Sequence, residues 1–585
     1  MPHMRSKYFF FAMACLSSLA CSSAKPGGAA GSGGTGGGAG GVNTDAGGSG
    51  SGGTAGSTAV SPGSGGAGSG GIGTGGKGAG GAATGGRGGG GGSGKPDSGL
   101  GGAGGSSGDA QGQGGSSATG GSTVDGGTPG SCASDLSTRI RVTETDLGVA
   151  YAYNEVDNNG AALGLTPLAI SPTPDGGSRL AFLGKSDNLV HVVTLDASDQ
   201  VVPGSLVGLP GYDVQDIYAD AKGGVLLVSR TAQGSTANNN CGDINNLCGL
   251  VANYPTAASC YDMYMVRFDG TTETWATKLT DTTASLPAYG TSPTTGDWII
   301  FIWSEYAHNG RITFDGTNYA GYFGAAVTVP GQACVGSSTL TTGVNIHQGD
   351  RMKVVSSTGA LQSSAGFDWG CSHSGFERVV WDPSAKKLVT VCKNDAATGG
   401  KSGRLAFAPS ITTIYPVDLS YSNFGSVLLA GGGGYWLVTS DIRAGQTPDA
   451  NGLADIHLLH VASTSKPTPD NDIVLASDGN NDRAPHLATY GSGMMLAAWE
   501  ESSATGDLLQ KDSKRQMYLQ VLDGTTGKPL AGSTSSSAGP LALPANLNVL
   551  GSRYQDFRSF PDGSVAYPAP SSGTKVKILR VLPCS

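Results

Sequence analysis

Residues 22–130 hold about half of the chain's 100 glycines, with Ser, Ala and Thr between them and almost no large apolar side chain. Such a stretch cannot bury enough surface to offset the ~1–2 kcal/mol of backbone entropy lost per ordered residue. It is expected to remain a flexible coil, so folding must begin near residue 131. Its charges balance: Lys25, Lys77, Arg87 and Lys95 against Asp45, Asp97, Asp109 and Asp125. With no net repulsion to stretch it, the coil should span ~55–60 Å, from ~5–6 Å times the square root of its length. No Gly-X-Y register runs through it, which excludes collagen. A tether of this length makes sense where one end is fixed and a domain must stand clear of a crowded surface.

The fixed end is expected at the N-terminus. Arg5 and Lys7 precede an apolar run, Tyr8 to Ala20. That run is shorter than the ~20 residues a membrane span needs. Cations, an apolar core and small residues before a cut are the parts of a secretory signal. Ser18-Leu19-Ala20-Cys21 resembles the bacterial lipoprotein signal, in which the cysteine becomes the first mature residue and carries acyl chains. The resemblance implies lipidation at Cys21 and anchorage to a membrane, in the outer membrane or at the cell surface. Leu19 stands two residues before the cysteine, where the family favours three. Cleavage after Ala20 with free secretion is therefore the alternative. The expected organisation is a signal over 1–20, a lipidated cysteine and linker over 21–130, and a folded domain over 131–585.

The chain carries a net charge of −9; the signal contributes about +2, so the domain is near −11. No lysine- or arginine-rich block stands out, which argues against nucleic acid as a partner. The domain is expected to act as a monomer. Its cysteines are Cys132, Cys241, Cys248, Cys260, Cys334, Cys371, Cys392 and Cys584. An even set in an exported chain reads as disulfides, and eight cysteines allow 105 pairings. Cys132 with Cys584 would join the two ends of the domain, closing a loop long enough for ~4–5 kcal/mol in the entropic account. Cys241, Cys248 and Cys260 would staple an Asn/Gly/Thr-rich insertion. Cys371 with Cys392 is a further pair, leaving Cys334 for an insertion cysteine.

Helical periodicity is scarce, and short alternating apolar runs recur. A degenerate unit repeats: a short strand, a turn of Gly, Asp or Pro, a second strand, a loop and a third strand. Strand-and-turn pairs occur at 168–177, 215–224, 286–296, 377–387, 426–434, 486–493 and 556–563, each followed by a second strand. Third strands are clearest at 190–196, 263–269, 456–461, 517–523 and 576–581. Seven such units predict an all-β fold, a seven-bladed β-propeller, in which radial closure hides the sheet edges. Arg139–Thr145 has no partners of its own and is assigned to the last blade, beside Val576–Val581. Tandem β-sandwiches are the alternative. Thr173-Pro174-Asp175-Gly176-Gly177 resembles the sialidase Asp-box turn, Gly431–Gly434 with Tyr435-Trp436 a kelch doublet, and Leu522–Pro529 a quinoprotein blade turn. Each occurs once, and no functional residue is carried over from them.

In a propeller, the loops after second strands and the loops joining blades open on one face. The candidate binding mouth collected on this basis is Arg230, Trp303, Glu305, His308, His373, Glu377, Arg378, Asp395, Arg443, Arg483, Trp499 and Glu500. Tryptophan with carboxylates and arginines suits a sugar or a peptide, the ring stacking and the charges orienting. The dense stretch His347–His373 allows His373 as a general base with Asp368 or Glu377, or a metal held by His347, Asp350 and His373. No zinc-type spacing supports the latter, so no metal and no cofactor is expected. Calcium is the alternative, at Asp157–Gly160, Asp449–Asp455, or Asp470–Asp472 with Asp478–Asp482. The leading expectation is a tethered binding protein for a glycan, peptide or partner protein. A hydrolase or lyase on extracellular polymer, and a structural envelope component, are the alternatives.

Overall fold

The computed structural model describes residues 135–152, 168–231, 260–282, 299–303, 310–333, 344–372, 376–419, 421–447, 452–505, 515–530, 538–551 and 553–583. Among these there is no α-helix, only one 3₁₀ turn, Leu136–Arg139, and strands. The first strand is β1 (Ile140–Asp146). Blade 1 is β2 (Ala169–Pro172), β3 (Ser178–Leu183), β4 (Leu189–Leu195) and β5 (Val207–Pro210). Blade 2 is β6 (Asp213–Ala219), β7 (Gly223–Thr231), β8 (Cys260–Asp269) and β9 (Thr272–Lys278). A linking strand, β10 (Ile299–Trp303), precedes blade 3, which is β11 (Arg311–Phe314), β12 (Asn318–Ala333), β13 (Val344–Ser356) and β14 (Leu361–Phe367). Blade 4 is β15 (Arg378–Asp382), β16 (Lys387–Asn394), β17 (Gly403–Ala408) and β18 (Thr412–Val417). Blade 5 is β19 (Asn423–Leu429), β20 (Tyr435–Ile442), β21 (Ala454–Val461) and β22 (Asn471–Ala476). Blade 6 is β23 (Asn481–Tyr490), β24 (Met494–Ser502), β25 (Gln516–Asp523) and β26 (Leu541–Ala542). Blade 7 is β27 (Arg558–Ser559), β28 (Val565–Pro570) and β29 (Lys575–Val581), with β1 as its outer strand.

The innermost strands β2, β6, β11, β15, β19, β23 and β27 touch in that order, and β27 returns to β2, so the ring closes. Alternation along the strands supplies the cement. In β4, Val190 and Val192 enter the seam with blade 2, while Val193 and Leu195 enter the seam with blade 7. Among the described residues, seven apolar clusters fill the seven seams between blades. This is the expected seven-bladed propeller. A strand sandwiched between two seams is apolar on both faces, which is why the runs are short and rich in Val and Leu.

The repeating turn between first and second strands has one cause in four blades. An aspartate carboxylate accepts backbone N–H groups two and three residues on, the Asx turn. Asp220 takes Lys222 and Gly223 at 2.8 and 2.9 Å. Asp315 takes Thr317 and Asn318, Asp382 takes Ser384 and Ala385, and Asp562 takes Ser564. The Asp315 turn corrects the third unit of the sequence reading. Segment 286–296 lies outside the described residues, and β10 is not a second strand. It pairs with β8 and β12, joining the sheets of blades 2 and 3 into one nine-stranded sheet. The true first strand of blade 3 is β11, ahead of Asp315.

β1 pairs with β29 in an unbroken antiparallel register from Ile140↔Val581 to Asp146↔Lys575, as expected from the sequence. Beside that seam the Asp199 carboxylate receives Arg580 Nε at 2.9 Å and Arg141 Nη2 at 2.6 Å, and the Asp199 carbonyl takes the Thr145 hydroxyl at 2.6 Å. Arg580 also lies 3.9 Å over the Phe560 ring. Both ends of the domain meet on one face. Leu582 N–H donates to the Arg139 carbonyl at 2.8 Å, and the Tyr490 hydroxyl, which receives Arg139, donates to the Leu582 carbonyl at 2.6 Å. Tyr490 ends a first strand, so this is the face of the first-to-second-strand turns. Cys132, Cys584, Cys241 and Cys248 lie outside the described residues. Cys371 and Cys392 are disulfide-bonded, as expected, with their Cα atoms 6.4 Å apart.

Asp199→Ala leaves Arg580 buried without its carboxylate, and such a loss costs about 3–5 kcal/mol. The urea midpoint should fall accordingly; an unchanged midpoint would show that the pair does not hold the seam.

Candidate functional site

The first residues of the inner strands converge on the axis of the ring. Arg311 opens β11, Arg378 opens β15, Arg558 opens β27, and Asp556 precedes it. The Arg311 guanidinium forms a two-point bond with Asp556, Nη2 donating to Oδ1 at 2.8 Å and Nε to Oδ2. Arg558 pairs with Asp216 of β6 and lies 3.5 Å from Asp556. Arg378 Nε stands 3.9 Å from Asp556, while its Nη atoms donate to the carbonyls of Glu377 and Phe424 at 3.1 and 3.3 Å. Asp216 Oδ2 also accepts the Ile312 N–H at 2.8 Å, tying blade 2 to blade 3.

Burial alone would raise the Asp556 carboxyl, but Arg311, Arg378 and Arg558 outweigh it and hold the group well below the ordinary carboxylate range. Burial, with the repulsion of Arg311, lowers Arg378 to about 9. His486 of β23 packs against the stacked pair Phe557 and Tyr567, its ring centroid 5.1 Å from each. Burial lowers it to about 3, so it is neutral in the folded protein.

The axial cavity beside this hub is about 50 Å³, lined by Ser171, Thr313 and Ser426 as well as the three arginines and Asp556. That holds a few waters and no sugar ring. A Cβ on Gly425 would collide with the Pro485 carbonyl, so β19 and β23 can approach only through glycine.

The expected mouth residues divide. Arg378 reaches the axis, while Glu377 beside it is buried and gives Arg378 its backbone carbonyl. Arg230 does not reach the axis: it lies out along β7, bonded to both Glu273 oxygens of β9 at 3.2 and 2.6 Å, with Tyr264 under its guanidinium. Trp499 is 1% exposed and stacks on Tyr518 at 5.9 Å within the seam to blade 5, so it offers no face to a ligand. Glu500 is buried and accepts Arg515 Nη1 at 2.9 Å. Arg483 is buried in β23, donating to the Asn481 side chain at 3.2 Å with Tyr421 beside it. Asp395 follows β16, half-buried, its N–H 3.4 Å from the Ser372 carbonyl. Trp303 ends β10, paired through its backbone with Cys260. Glu305, His308 and His373 lie outside the described residues. Arg311, Arg558, Asp216 and Asp556 were not anticipated; their only signal is charge set into the first residues of apolar inner strands.

Arg443 belongs to a second cluster, on the rim between blades 5 and 6. Its guanidinium donates to Asp455 Oδ1 at 2.7 Å and to the Asn480 carbonyl at 3.1 Å. Around it stand Asp478, Asp482 and Glu501. Burial first, then Asp478, Glu501 and Asp455, raise Asp482 to about 8. Burial first, then Asp478, raise Glu501 as well, against the hydrogen bonds from Tyr518 and Asn480.

Among the described residues the one trio of ligating atoms within 4.8 Å of one another is Asp350, Cys371 and Cys392, and the disulfide takes both sulfurs. Asp350 is itself occupied, receiving the Tyr322 hydroxyl and the Cys371 N–H. Asp470 and Asp472 face His460 and His457 at 2.6 and 2.9 Å.

No protein-family model and no curated protein matches the sequence. Solved structures do. The WD40 domain of Toxoplasma gondii coronin is 9% identical with a TM-score of 0.35, over 78% of this chain and 89% of that one. A europium-containing methanol dehydrogenase is 9% identical with a TM-score of 0.33, over 77% and 94%. An α-L-arabinofuranosidase of Fusarium graminearum is 9% identical with a TM-score of 0.32, over 64% and 97%. Likeness this distant carries no function across. The chain is a seven-bladed β-propeller, a statement that rests on its own strand pairing, with a charged hub at its axis.

Acid should reach the hub through His486, which faces Asp556, Arg378, Arg311, Gln555 and the two rings. Unfolded, the imidazole titrates near ~6.5. Folded, it does so near 3. The unfolded state thus binds the extra proton, and stability present above pH ~6.5 is lost as pH falls toward 3. Urea midpoints between pH 7 and 4 should fall less steeply for His486→Phe than for the natural chain; equal slopes would contradict this.

Proposed function

We propose that the protein is an exported, tethered binding protein. Its ligand, a glycan, a peptide or a partner protein, docks on the face formed by the second-to-third-strand loops and the blade-joining loops. The observation that carries this is the narrow axis, with a cavity of about 50 Å³, combined with the position of the chain ends. The hub's charges are paired and its cavity holds only waters, so catalysis on a polymer within the shaft has no room. The domain ends meet on the opposite face, so a leash leaving there presents the loop face outward. The long connections 232–259, 283–298, 334–343 and 506–514 all leave strand ends on the loop face. A domain near −11 with no basic block suits neither nucleic acid nor anionic lipid heads. Anchorage is through an acylated Cys21, at the outer membrane or cell surface.

Two experiments test the reading. Metabolic labelling with palmitate should mark the natural chain and not Cys21→Ala; equal labelling, or none in either, would remove the lipid anchor. Glycan and peptide arrays probed with the full-length protein should show retention without turnover. Lys185→Glu and Ala397→Arg on the loop face should weaken retention about tenfold or more, while Lys222→Glu and Lys528→Glu on the turn face should not. Release of shortened polymer, or sensitivity confined to the turn face, would contradict the proposal.

A further inference from the structure

The rim between blades 5 and 6 holds carboxylates in an arrangement that charge alone would not sustain. Asp482 of β23 and Glu501 of β24 are direct cross-strand partners. Like charges so placed repel. Asp482 is 0% exposed, and neither of its carboxylate oxygens has a hydrogen-bond partner. A buried carboxylate in that condition is costly unless something meets it. Asp478 approaches from the loop between β22 and β23, which it curls by accepting the Asn480 N–H at 2.6 Å. Asn480 links it to Glu501, since the same residue's side-chain amide donates to the Glu501 carboxylate. Glu501 Oε1 is oriented by the Asn480 side-chain amide and the Tyr518 hydroxyl, each at 3.0 Å. The nearby cation, Arg443, is held by Asp455, which also receives Ser477 at 3.1 Å. It therefore pairs with Asp455 and reaches Asp482 only through space, one cation beside four carboxylates.

We infer that this seam is a calcium site, with Asp478, Asp482 and Glu501 as its carboxylate ligands. The donors are all hard oxygens, with no imidazole or thiolate among them. Calcium takes six to eight oxygens at ~2.3–2.6 Å in adaptable geometry and completes its shell with carbonyls and water. The ligating oxygens of the three carboxylates do not all lie within 4.8 Å of one another. An ion draws the exposed Asp478 and the half-buried Glu501 inward over Asp482. Binding would pin the loop entering blade 6 to β24, on the face proposed for ligand docking, although the site does not depend on that function.

Calcium chloride alone, titrated into the EGTA-treated full-length protein by calorimetry, is the test. The natural chain should bind, and its Tm should rise with calcium, since a ligand bound only by the folded state stabilises it. Asp482→Asn and Glu501→Gln should each lose at least tenfold in affinity at this site and abolish the matching Tm shift. Without an ion, Asp482→Asn would only relieve repulsion, raising Tm equally in EGTA and in calcium. That result, or calcium binding unchanged in both variants, overturns the site. Equal affinity for magnesium overturns the choice of ion.

Discussion

The pairing of β1 with β29 is the constraint on which the rest of the structure depends. A propeller blade is a small sheet with little stability of its own, and each blade's apolar faces are buried only by its neighbours. The ring is therefore stable only when it is closed. Here closure uses the first strand of the domain and the last, more than four hundred residues apart, as adjacent strands of one blade. Asp199 of blade 1 reinforces it from outside the sheet, by gathering Arg580 and Arg141 of blade 7. The same closure brings Arg139 and Leu582 together.

Closure also creates the axis. Seven inner strands start around a narrow centre, and the side chains at those starts have nowhere to go but toward each other. Arg311, Arg378 and Arg558 would repel there without Asp556 and Asp216 between them. Buried ion networks of this kind are weak evidence for stability relative to apolar packing, yet removing a member is expensive. Their effect is geometric: they bind blades 2, 3, 4 and 7 to one another at the hub and leave room only for water. The Asp455–Asp478–Asp482–Glu501 seam lies away from this hub, on the rim between blades 5 and 6.

Much of this architecture was legible in the residues themselves. Strands sandwiched between two seams announce themselves as short Val/Leu runs, such as Leu189–Leu195 and Met517–Asp523. The intervening turns announce themselves by Gly, Asp or Pro. That pairing of signals located six of the seven units and the closing role of β1. The third failed because β10 has the composition of a second strand but joins two sheets, while the Asp315 turn after β11 went unread. The site was far less legible. Arg311 and Asp556 are 245 residues apart, and nothing local to either predicts the other. A residue near a strand end reads alike whether it projects to solvent, as a mouth needs, or is buried, as Trp499 is against blade 5 and Glu500 against Arg515 of its own blade. Facing is decided by blade packing, which strand periodicity alone does not register.

Native-state hydrogen exchange of the β1 amides is the most direct test of the closed ring. If closure underlies the whole fold, the amides of Ile140–Asp146 that bond to β29 should exchange only through global unfolding, with the same free energy as those of Lys575–Val581. β1 amides that exchange far faster than β29, while the remaining blades stay protected, would show that the ring stands without its clasp and would contradict the account.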